Sequence, residues 1–444
     1  MATASRLTPI QRRRLPRPEG SRDLVWGKAM ANRRFRSALL IVAGVPIGLA
    51  YVWNGFVSPF VRNESNDFRQ VYLEGARVIA TGGDPYQCNT GFCSGHTQGW
   101  LGAAGAVYPP FPLWMMQPFG RFDASVVDEF ALVAANICLG LFIWVMVKTL
   151  VVKDWQLRAL IALMSMSFAP TLIEIQNRNL QVLLLLLSGL VLLAWTRGDR
   201  WWGGLALGLG LAIKLVQAPV LLLGLWGRRW LLVVLALGTW AVLWAVAVPR
   251  LLPEYLFQVL PAFGRGSGEE MNVAPLGALA RLFHPESLYL QGRGVDATVL
   301  VLTAAVGAVV LVATAWRLRS PRPDPAGRAL ELGATFAATP LVLTLVWAGQ
   351  LVLLLLPMIV LLDRGLREGS RGLVALVAAS WLLIGPVYLA FTNAFAVGFG
   401  FPGLFEVWSD SALVGIILLW LASLYALQQA GRPKLSAEAV IAPR

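Results

Sequence analysis

Apolar runs of about 20 residues recur from Arg36 to near the end of the chain, and they restrict its fold more than any other feature. A run of this length can cross the roughly 30 Å hydrocarbon core of a bilayer as a helix. Only 14% of the 444 residues are charged and 57% are hydrophobic, whereas about a quarter of the residues in a soluble domain are charged. The sequence therefore predicts an all-α polytopic membrane protein.

The apolar runs and the charges between them predict about twelve transmembrane helices. Two runs, 201–227 and 329–362, have arginines on both sides, so each is expected to break into two short helices. The breaks are predicted near Lys214 and near Trp347, where Pro340 and Gly349 loosen the helix. The predicted spans are 37–57, 128–149, 157–175, 179–196, 201–214, 216–227, 230–249, 297–316, 329–346, 348–362, 372–393 and 409–428.

With these spans, most of the 37 Lys and Arg residues fall in one set of loops and in the two termini. The positive-inside rule assigns that side to the cytoplasm. This predicts basic cytoplasmic tails at 1–36 and 429–444, a transmembrane domain at 37–428, and outer loops at 58–127 and 250–296. The same rule explains the net charge of +13 without nucleic acid as a partner.

The first outer loop carries the most informative polar residues. Asp67 opens an amphipathic stretch, Asp67–Gly82, typical of an interfacial helix, and Leu276–Phe283 is a weaker example. An acid at position 67 is either a helix N-cap or a general base at the lipid–water boundary. Asp84 lies in Gly-Gly-Asp-Pro, so its simplest role is in a turn.

Other polar residues interrupt the apolar helices. Asn179 and Gln181 open a leucine-rich helix, where amides are costly unless they find partners. Lys214 either extends its ammonium to the membrane surface or binds an anionic head group. Cys88 and Cys93 lie in a polar outer loop, where an oxidising compartment permits a disulfide. The spacing of Cys and His does not indicate a metal site.

Several short elements resemble, in their order, glycosyltransferase family 87, whose members have the GT-C fold and use polyprenyl-phosphate sugars. The family includes mannosyltransferases and an arabinofuranosyltransferase. The resemblance covers about 55–230, and Asn272–Leu282 is loosely similar to a further family segment. The elements are Asp67-Phe68-Arg69, Gly82-Gly83-Asp84-Pro85-Tyr86, Tyr108-Pro109-Pro110, the amides before the leucine run, Gly204-Leu205-Ala206-Leu207-Gly208-Leu209, Lys214 five residues before Pro219, and Arg228-Arg229-Trp230.

The resemblance implies that Asp67 is the catalytic base and that Lys214 lies near the donor phosphate. Gln350 stands at the late helix break, where many family members carry a histidine, and it can donate a hydrogen bond but carries no charge. The expected substrate-binding residues are Arg69, Asp84, Tyr108, Asn179, Gln181, Lys214 and Gln350.

The expected function is transfer of a sugar, mannose first, from a polyprenyl-phosphate donor to a lipid or glycolipid acceptor. The reaction is an inverting displacement on the extracytoplasmic face of the cell membrane. No metal or other cofactor is expected, because the donor lacks the diphosphate that Mg²⁺ usually clamps. Arabinofuranosyl transfer is the alternative within the family. A twelve-helix secondary transporter and a non-catalytic lipid-binding scaffold are alternatives of other classes, but the halves show no obvious repeat.

Overall fold

The computed structural model describes residues 33–62, 66–87, 108–264, 266–269, 271–284, 295–390 and 410–430. Within these ranges the chain is almost entirely helical, and the prediction of an all-α polytopic membrane protein is confirmed. The chain divides into two compact units, residues 1–46 and 47–444. The first unit contributes the N-terminal part of the first helix. Cys88 and Cys93 lie outside the described residues, so the disulfide stays a prediction.

The labelled helices are α1 (Arg33–Val52), α2 (Glu74–Ala80), α3 (Pro110–Met115), α4 (Ala124–Thr149), α5 (Trp155–Ser167), α6 (Ala169–Gln176), α7 (Gln181–Thr196), α8 (Trp201–Ile213), α9 (Ala218–Trp226), α10 (Trp230–Ala247), α11 (Pro275–Phe283), α12 (Ala297–Leu318), α13 (Pro325–Val342), α14 (Leu355–Glu368), α15 (Arg371–Leu382) and α16 (Ser411–Ala430). Single π turns extend α1 and α15 at Trp53–Val57 and Leu383–Val387, and another, Phe68–Leu73, precedes α2. Short helical turns also lie at Ser58–Arg62, Gln117–Arg121, Leu215–Gln217 and Ala348–Leu354, and between Pro249 and Gly264.

Four helices are preceded by an aspartate whose side chain caps the helix N-terminus. Each carboxylate accepts a hydrogen bond of 2.7–3.0 Å from a backbone amide in the first turn, satisfying a donor that the helix itself leaves unpaired. The capping residues are Asp123 for α4, Asp154 for α5, Asp296 for α12 and Asp324 for α13.

In the described part of the chain, seven helices are long and apolar enough to cross a membrane. The count becomes eight if α5 and α6, bent by 55° at their junction, form one broken span. Three shorter apolar helices, Gln181–Thr196, Trp201–Ile213 and Leu215–Trp226, fall below that length. The twelve spans expected from the sequence include these shorter segments, and that exact count stays a prediction.

Both predicted helix breaks are confirmed. α8 ends at Ile213, Lys214 has an extended backbone, and a 3₁₀ turn then leads into α9. α13 ends at Val342, and the chain is non-helical to Trp347 before the 3₁₀ turn Ala348–Leu354 opens α14. Irregular backbone inside an apolar bundle needs internal hydrogen-bond partners, so these breaks mark positions where polar groups gather.

Asn272 joins the segment that the sequence predicts as the second outer loop to the later helix break. Its amide nitrogen donates to the carbonyl oxygens of Ser267 (2.8 Å) and Thr344 (3.1 Å). Its amide oxygen accepts from the backbone N–H groups of Val346 (3.0 Å) and Ala274 (3.2 Å). The side chain therefore satisfies four backbone groups that no helix pairs, and it joins the two segments across the sequence.

A cluster of charged side chains lies where α7 ends. Arg229 pairs with Asp199 and lies 3.9 Å from Glu331, and its guanidinium stacks 4.1 Å from the centre of the Trp195 ring. Arg328 reaches the same aspartate at 3.7 Å. Asp199, Arg229 and Arg328 come from three connections that the sequence assigns to one side of the membrane, and the fold brings them together.

Two glycines on α8 allow close packing against α10. A Cβ atom at Gly208 would lie 2.5 Å from the carbonyl oxygen of Ala236, and one at Gly204 would lie 2.7 Å from the Leu235 side chain. Small residues four apart are a common device for close helix approach in membranes, because they allow the backbones to touch.

We expect Gly208→Ala to lower the free energy of unfolding by about 1–3 kcal/mol, the usual cost of overpacking. Gly238→Ala on α10 is the matched control, because a Cβ there meets no atom within 4 Å. Thermal unfolding of both purified variants in detergent measures the difference. Equal stability of the two variants would contradict the assigned contact between α8 and α10.

Candidate active site

The Asn179 side chain links two parts of the chain in a polar cluster at the start of α7. Its amide nitrogen donates to Asp67 Oδ2 (2.9 Å) and to the Tyr108 hydroxyl oxygen (3.0 Å). Its amide oxygen accepts from the Tyr72 hydroxyl (3.0 Å). The rings of the two tyrosines lie 4.6 Å apart. Three predicted site residues therefore meet, together with Tyr72, which lies within the amphipathic stretch Asp67–Gly82.

Asp67 does not cap the interfacial helix, so the capping alternative is wrong. Asn66 performs that task, since its side-chain oxygen accepts from the Arg69 backbone N–H at 3.1 Å, while Asp67 makes no capping bond. Both residue types cap well, and the sequence alone placed the cap one residue too late. The Asp67 carboxylate is thus directed to Asn179, and it remains half-exposed.

A buried ion-pair network fixes the backbone beside Asp67. Asp128, on α4, is 1% exposed and accepts from Asn66 at 3.0 Å. It also pairs with Arg69 and Arg178, at 3.1 Å and 3.2 Å. The guanidinium of Arg69, expected to bind substrate, is engaged here. Because breaking a buried pair leaves an uncompensated charge, this network holds the start of the outer-loop helix against the α6–α7 turn.

Lys214 reaches the same cluster from the break after α8. Its ammonium lies 5.1 Å from the centre of the Tyr108 ring, within the range of a cation–π contact. Burial, with the charges of Asp67 and Glu174 nearby, raises the pKa of Tyr108, so its phenol stays neutral. Asp67 and the Tyr108 hydroxyl are therefore joined through the Asn179 amide, and Lys214 lies over the face of the Tyr108 ring.

Glu174 belongs to this cluster, although it was not among the expected site residues. It interacts electrostatically with Lys214 and Asp67, and it is 4% exposed. A signal was present in the sequence, since an acid within an apolar run is costly and is usually kept for function. Its place in the site depends on packing between distant segments, which the local pattern does not reveal.

Gln181 and Gln350, two further expected site residues, are both buried. Gln181 is fully buried, and neither polar atom of its side chain has a hydrogen-bond partner in the described ranges. Gln350 is buried next to Gly349, whose Cα faces the Glu174 carboxylate. Among the residues described, no group of three or more His, Cys, Asp or Glu side chains is placed to hold a metal ion.

Asp84 lies apart from the cluster, at the junction of the two outer loops. Its carboxylate accepts from the Tyr86 backbone N–H at 2.9 Å, as in an Asx turn. Arg250 donates to the carbonyl oxygens of Gly82 (2.8 Å) and Gly83 (3.0 Å), so the guanidinium clamps the turn. The Tyr86 hydroxyl in turn donates to the Tyr108 carbonyl at 2.9 Å, which connects this junction to the site.

An apolar cavity of about 190 Å³ adjoins the polar cluster. Its walls come from α4, α7 and the segment around α3, and they include Phe68, Ala135 and Leu183. Asn179 lies in its wall and also binds Asp67, so it joins the cavity to the polar cluster. The arrangement suits a molecule with a hydrocarbon chain and a polar reacting group.

The family model for glycosyltransferase family 87 matches residues 106–344, which is more than half of the chain. The chain therefore belongs to glycosyltransferase family 87, and it is a multi-pass membrane glycosyltransferase. The matched region contains Tyr108, Asn179 and Lys214, and it ends within the later helix break.

The chain is also similar to an alpha-(1->3)-arabinofuranosyltransferase of Corynebacterium glutamicum. The two sequences are 26% identical over 165 residues, which cover 36% of this chain and 39% of the relative. The similarity thus spans about two fifths of the relative's length.

The outer-loop junction predicts a dependence of stability on pH. A hydrogen bond to Asp84, with burial and the charge of Asp84, raises the pKa of Glu254 from 4.5 to about 7. Because folding raises this pKa, the stabilisation is complete below about pH 4.5 and is lost as the pH rises through 7. Glutamine is neutral and can donate a hydrogen bond at every pH. We therefore expect the thermal unfolding midpoint of Glu254→Gln to change less with pH than that of the wild type between pH 5 and 8. If the unfolding midpoint of this variant changes with pH as steeply as that of the wild type, Glu254 is not the group responsible.

Proposed function

We propose that this glycosyltransferase transfers a sugar from a polyprenyl-phosphate donor to a hydroxyl group of a lipid or glycolipid acceptor, on the extracytoplasmic face of the membrane. One observation carries the proposal: the Asn179 amide binds both the Asp67 carboxylate and the Tyr108 hydroxyl, and the Lys214 ammonium lies over the Tyr108 ring. A carboxylate and an ammonium are the two charges that such a transfer needs, one for the acceptor and one for the leaving phosphate.

The mechanism is a single inverting displacement. Asp67 takes the proton of the acceptor hydroxyl while that oxygen bonds to the anomeric carbon of the donor sugar. The bond between this carbon and the phosphate oxygen breaks, and its electron pair stays on the phosphate. The leaving phosphate needs no proton, since Lys214 stabilises its negative charge.

The apolar cavity beside Asn179 supports lipid-linked substrates. A hydrocarbon chain in the cavity gains favourable burial, and its polar end then lies at the wall shared with the Asp67 cluster. A soluble sugar nucleotide has no group that would use this cavity.

The charged cluster at the far end of α7 supports the assigned orientation. The helix has 16 residues, so it is about 24 Å long. Asn179 precedes its start, and Trp195, near its end, packs against Arg229. If the basic end faces the cytoplasm, as the positive-inside rule requires, the Asp67 cluster faces the outer side.

Two donor sugars are candidates. Mannose is the sugar expected from the family resemblance. Arabinofuranose is favoured by the similarity to the arabinofuranosyltransferase of Corynebacterium glutamicum. Purified enzyme assayed with polyprenyl-phosphate mannose and with polyprenyl-phosphate arabinofuranose distinguishes them, and transfer from neither would overturn the proposed function.

We expect Asp67→Asn to remain folded and to lose transfer activity by about 10²–10⁴-fold, the usual contribution of a general base. Asparagine can still accept the hydrogen bond from Asn179, but it takes no proton from a hydroxyl. The measurement is turnover with a polyprenyl-phosphate sugar in detergent, with thermal unfolding measured in parallel.

The matched control is Asp123→Asn, an exposed N-cap of α4 where asparagine caps about as well as aspartate. This variant should keep wild-type turnover. Wild-type turnover in Asp67→Asn as well would show that another group is the base.

The orientation has a separate test in intact cells. In a variant lacking the three native cysteines, Gln258→Cys should react with a membrane-impermeant thiol reagent. Glu368→Cys should react only after the cells are opened, because residue 368 lies at the basic end of α14, which the proposal places in the cytoplasm. Both side chains are exposed on the protein, so access is decided by the membrane. The reverse pattern would overturn the extracytoplasmic assignment.

A further inference from the structure

Glu174 is a buried carboxyl group in the cluster that the proposed mechanism does not use. It lies on α6, and its Oε2 atom has no hydrogen-bond partner in the part of the chain that the structure describes. Burying an ionisable group without a partner is costly, whereas a neutral side chain of similar size would pack there without that cost. The carboxyl group therefore requires a functional explanation.

Gly349 leaves the space that this carboxyl group occupies. A Cβ atom at position 349 would lie 1.8 Å from Glu174 Oε1, a distance that no pair of unbonded heavy atoms can adopt. The glycine belongs to the 3₁₀ turn that follows the later helix break. The carboxylate is thus seated between α6 and this turn, and its position depends on both.

Lys214 is the cation of the same cluster. Its ammonium lies over the Tyr108 ring, and the Tyr108 hydroxyl accepts from the Asn179 side chain. The Asn179 backbone N–H in turn donates to the Glu174 carbonyl oxygen at 3.1 Å. In the described chain the Lys214 ammonium makes no hydrogen bond and no ion pair within 4 Å, and its attractions are the Tyr108 ring and the charges of Glu174 and Asp67. A lysine side chain has four rotatable bonds, and fixing them costs rotamer entropy. A fixed carboxylate nearby lowers that cost because it attracts the ammonium to one place.

We propose that Glu174 is a positioning residue for the donor phosphate: it attracts the Lys214 ammonium to the place where the phosphate binds. The absence of a side chain at Gly349 leaves the room that the Glu174 carboxylate needs. The proposal rests on the proposed function. Two effects of the carboxylate oppose each other here. Its own charge repels the phosphate, whereas its attraction for Lys214 prepares the site. Positioning requires the second effect to be larger.

The first test is Glu174→Gln, which keeps the size of the side chain and removes its charge. Positioning predicts that the donor KM rises by about tenfold, a typical coupling between contacting residues. The acceptor KM and the thermal unfolding midpoint should stay unchanged or improve. An unchanged or lower donor KM would overturn the proposal, because repulsion of the phosphate would then equal or exceed the positioning effect.

A double-mutant cycle tests whether Glu174 acts through Lys214. Lys214→Ala should weaken donor use more than Lys214→Arg, which keeps the charge. In the Lys214→Ala background, Glu174→Gln should have no further effect on the donor KM, since the group it positions is gone. Full additivity of the two substitutions would overturn the proposal.

The glycine provides an independent test. Gly349→Ala should reduce donor use as much as Glu174→Gln, because its methyl group displaces the carboxylate. In a Glu174→Ala background the same substitution should cost nothing further. Gly333→Ala is the control, since its Cβ would meet Pro357 at an ordinary 3.6 Å. An equal loss from Gly349→Ala in both backgrounds would overturn the link to Glu174.

Failure of this proposal and failure of the proposed function are distinguishable. If wild-type enzyme transfers no sugar from a polyprenyl-phosphate donor, the proposed function fails before any variant is made. If wild-type enzyme is active and Glu174→Gln has the wild-type donor KM, only the role of Glu174 fails.

Discussion

The hydrogen bond between the Asn179 amide and the Asp67 carboxylate is the interaction on which the site depends. It joins residues 112 positions apart, one in the first outer loop and one at the start of α7. In apolar surroundings an amide without partners is costly, so Asn179 is strongly held by its bonds to Asp67, Tyr72 and Tyr108. The outer-loop helix is thus oriented by a few directed polar contacts as well as by apolar packing.

Much of this architecture could be predicted from the sequence, because hydropathy and charge bias are properties of local segments. The breaks at Lys214 and Trp347 followed from arginines on both sides of overlong apolar runs. The roles of Glu174 and Asp128 could not be predicted in the same way, since their partners come from other segments of the chain. The capping error at Asp67 has a different origin: two adjacent residues cap equally well, and only the backbone register decides between them.

The short helices on either side of the site determine how deep it lies. α7 and α8 have 16 and 13 residues, which gives lengths of about 24 Å and 20 Å, less than the roughly 30 Å hydrocarbon core. Both connect the charged end of the bundle to the polar cluster. With the charged end at one membrane surface, Lys214 and Asn179 therefore lie below the opposite surface.

Asn272 uses its whole hydrogen-bonding capacity, with two donors and two acceptor positions all engaged by backbone groups. Aspartate has the shape but lacks the donors, and glutamine has the donors but is one carbon longer. Alanine would leave four backbone groups to find other partners. No other side chain therefore has the donors, acceptors and length that position 272 requires. Natural variants of this chain are expected to keep Asn272 while the predicted outer loop around it varies.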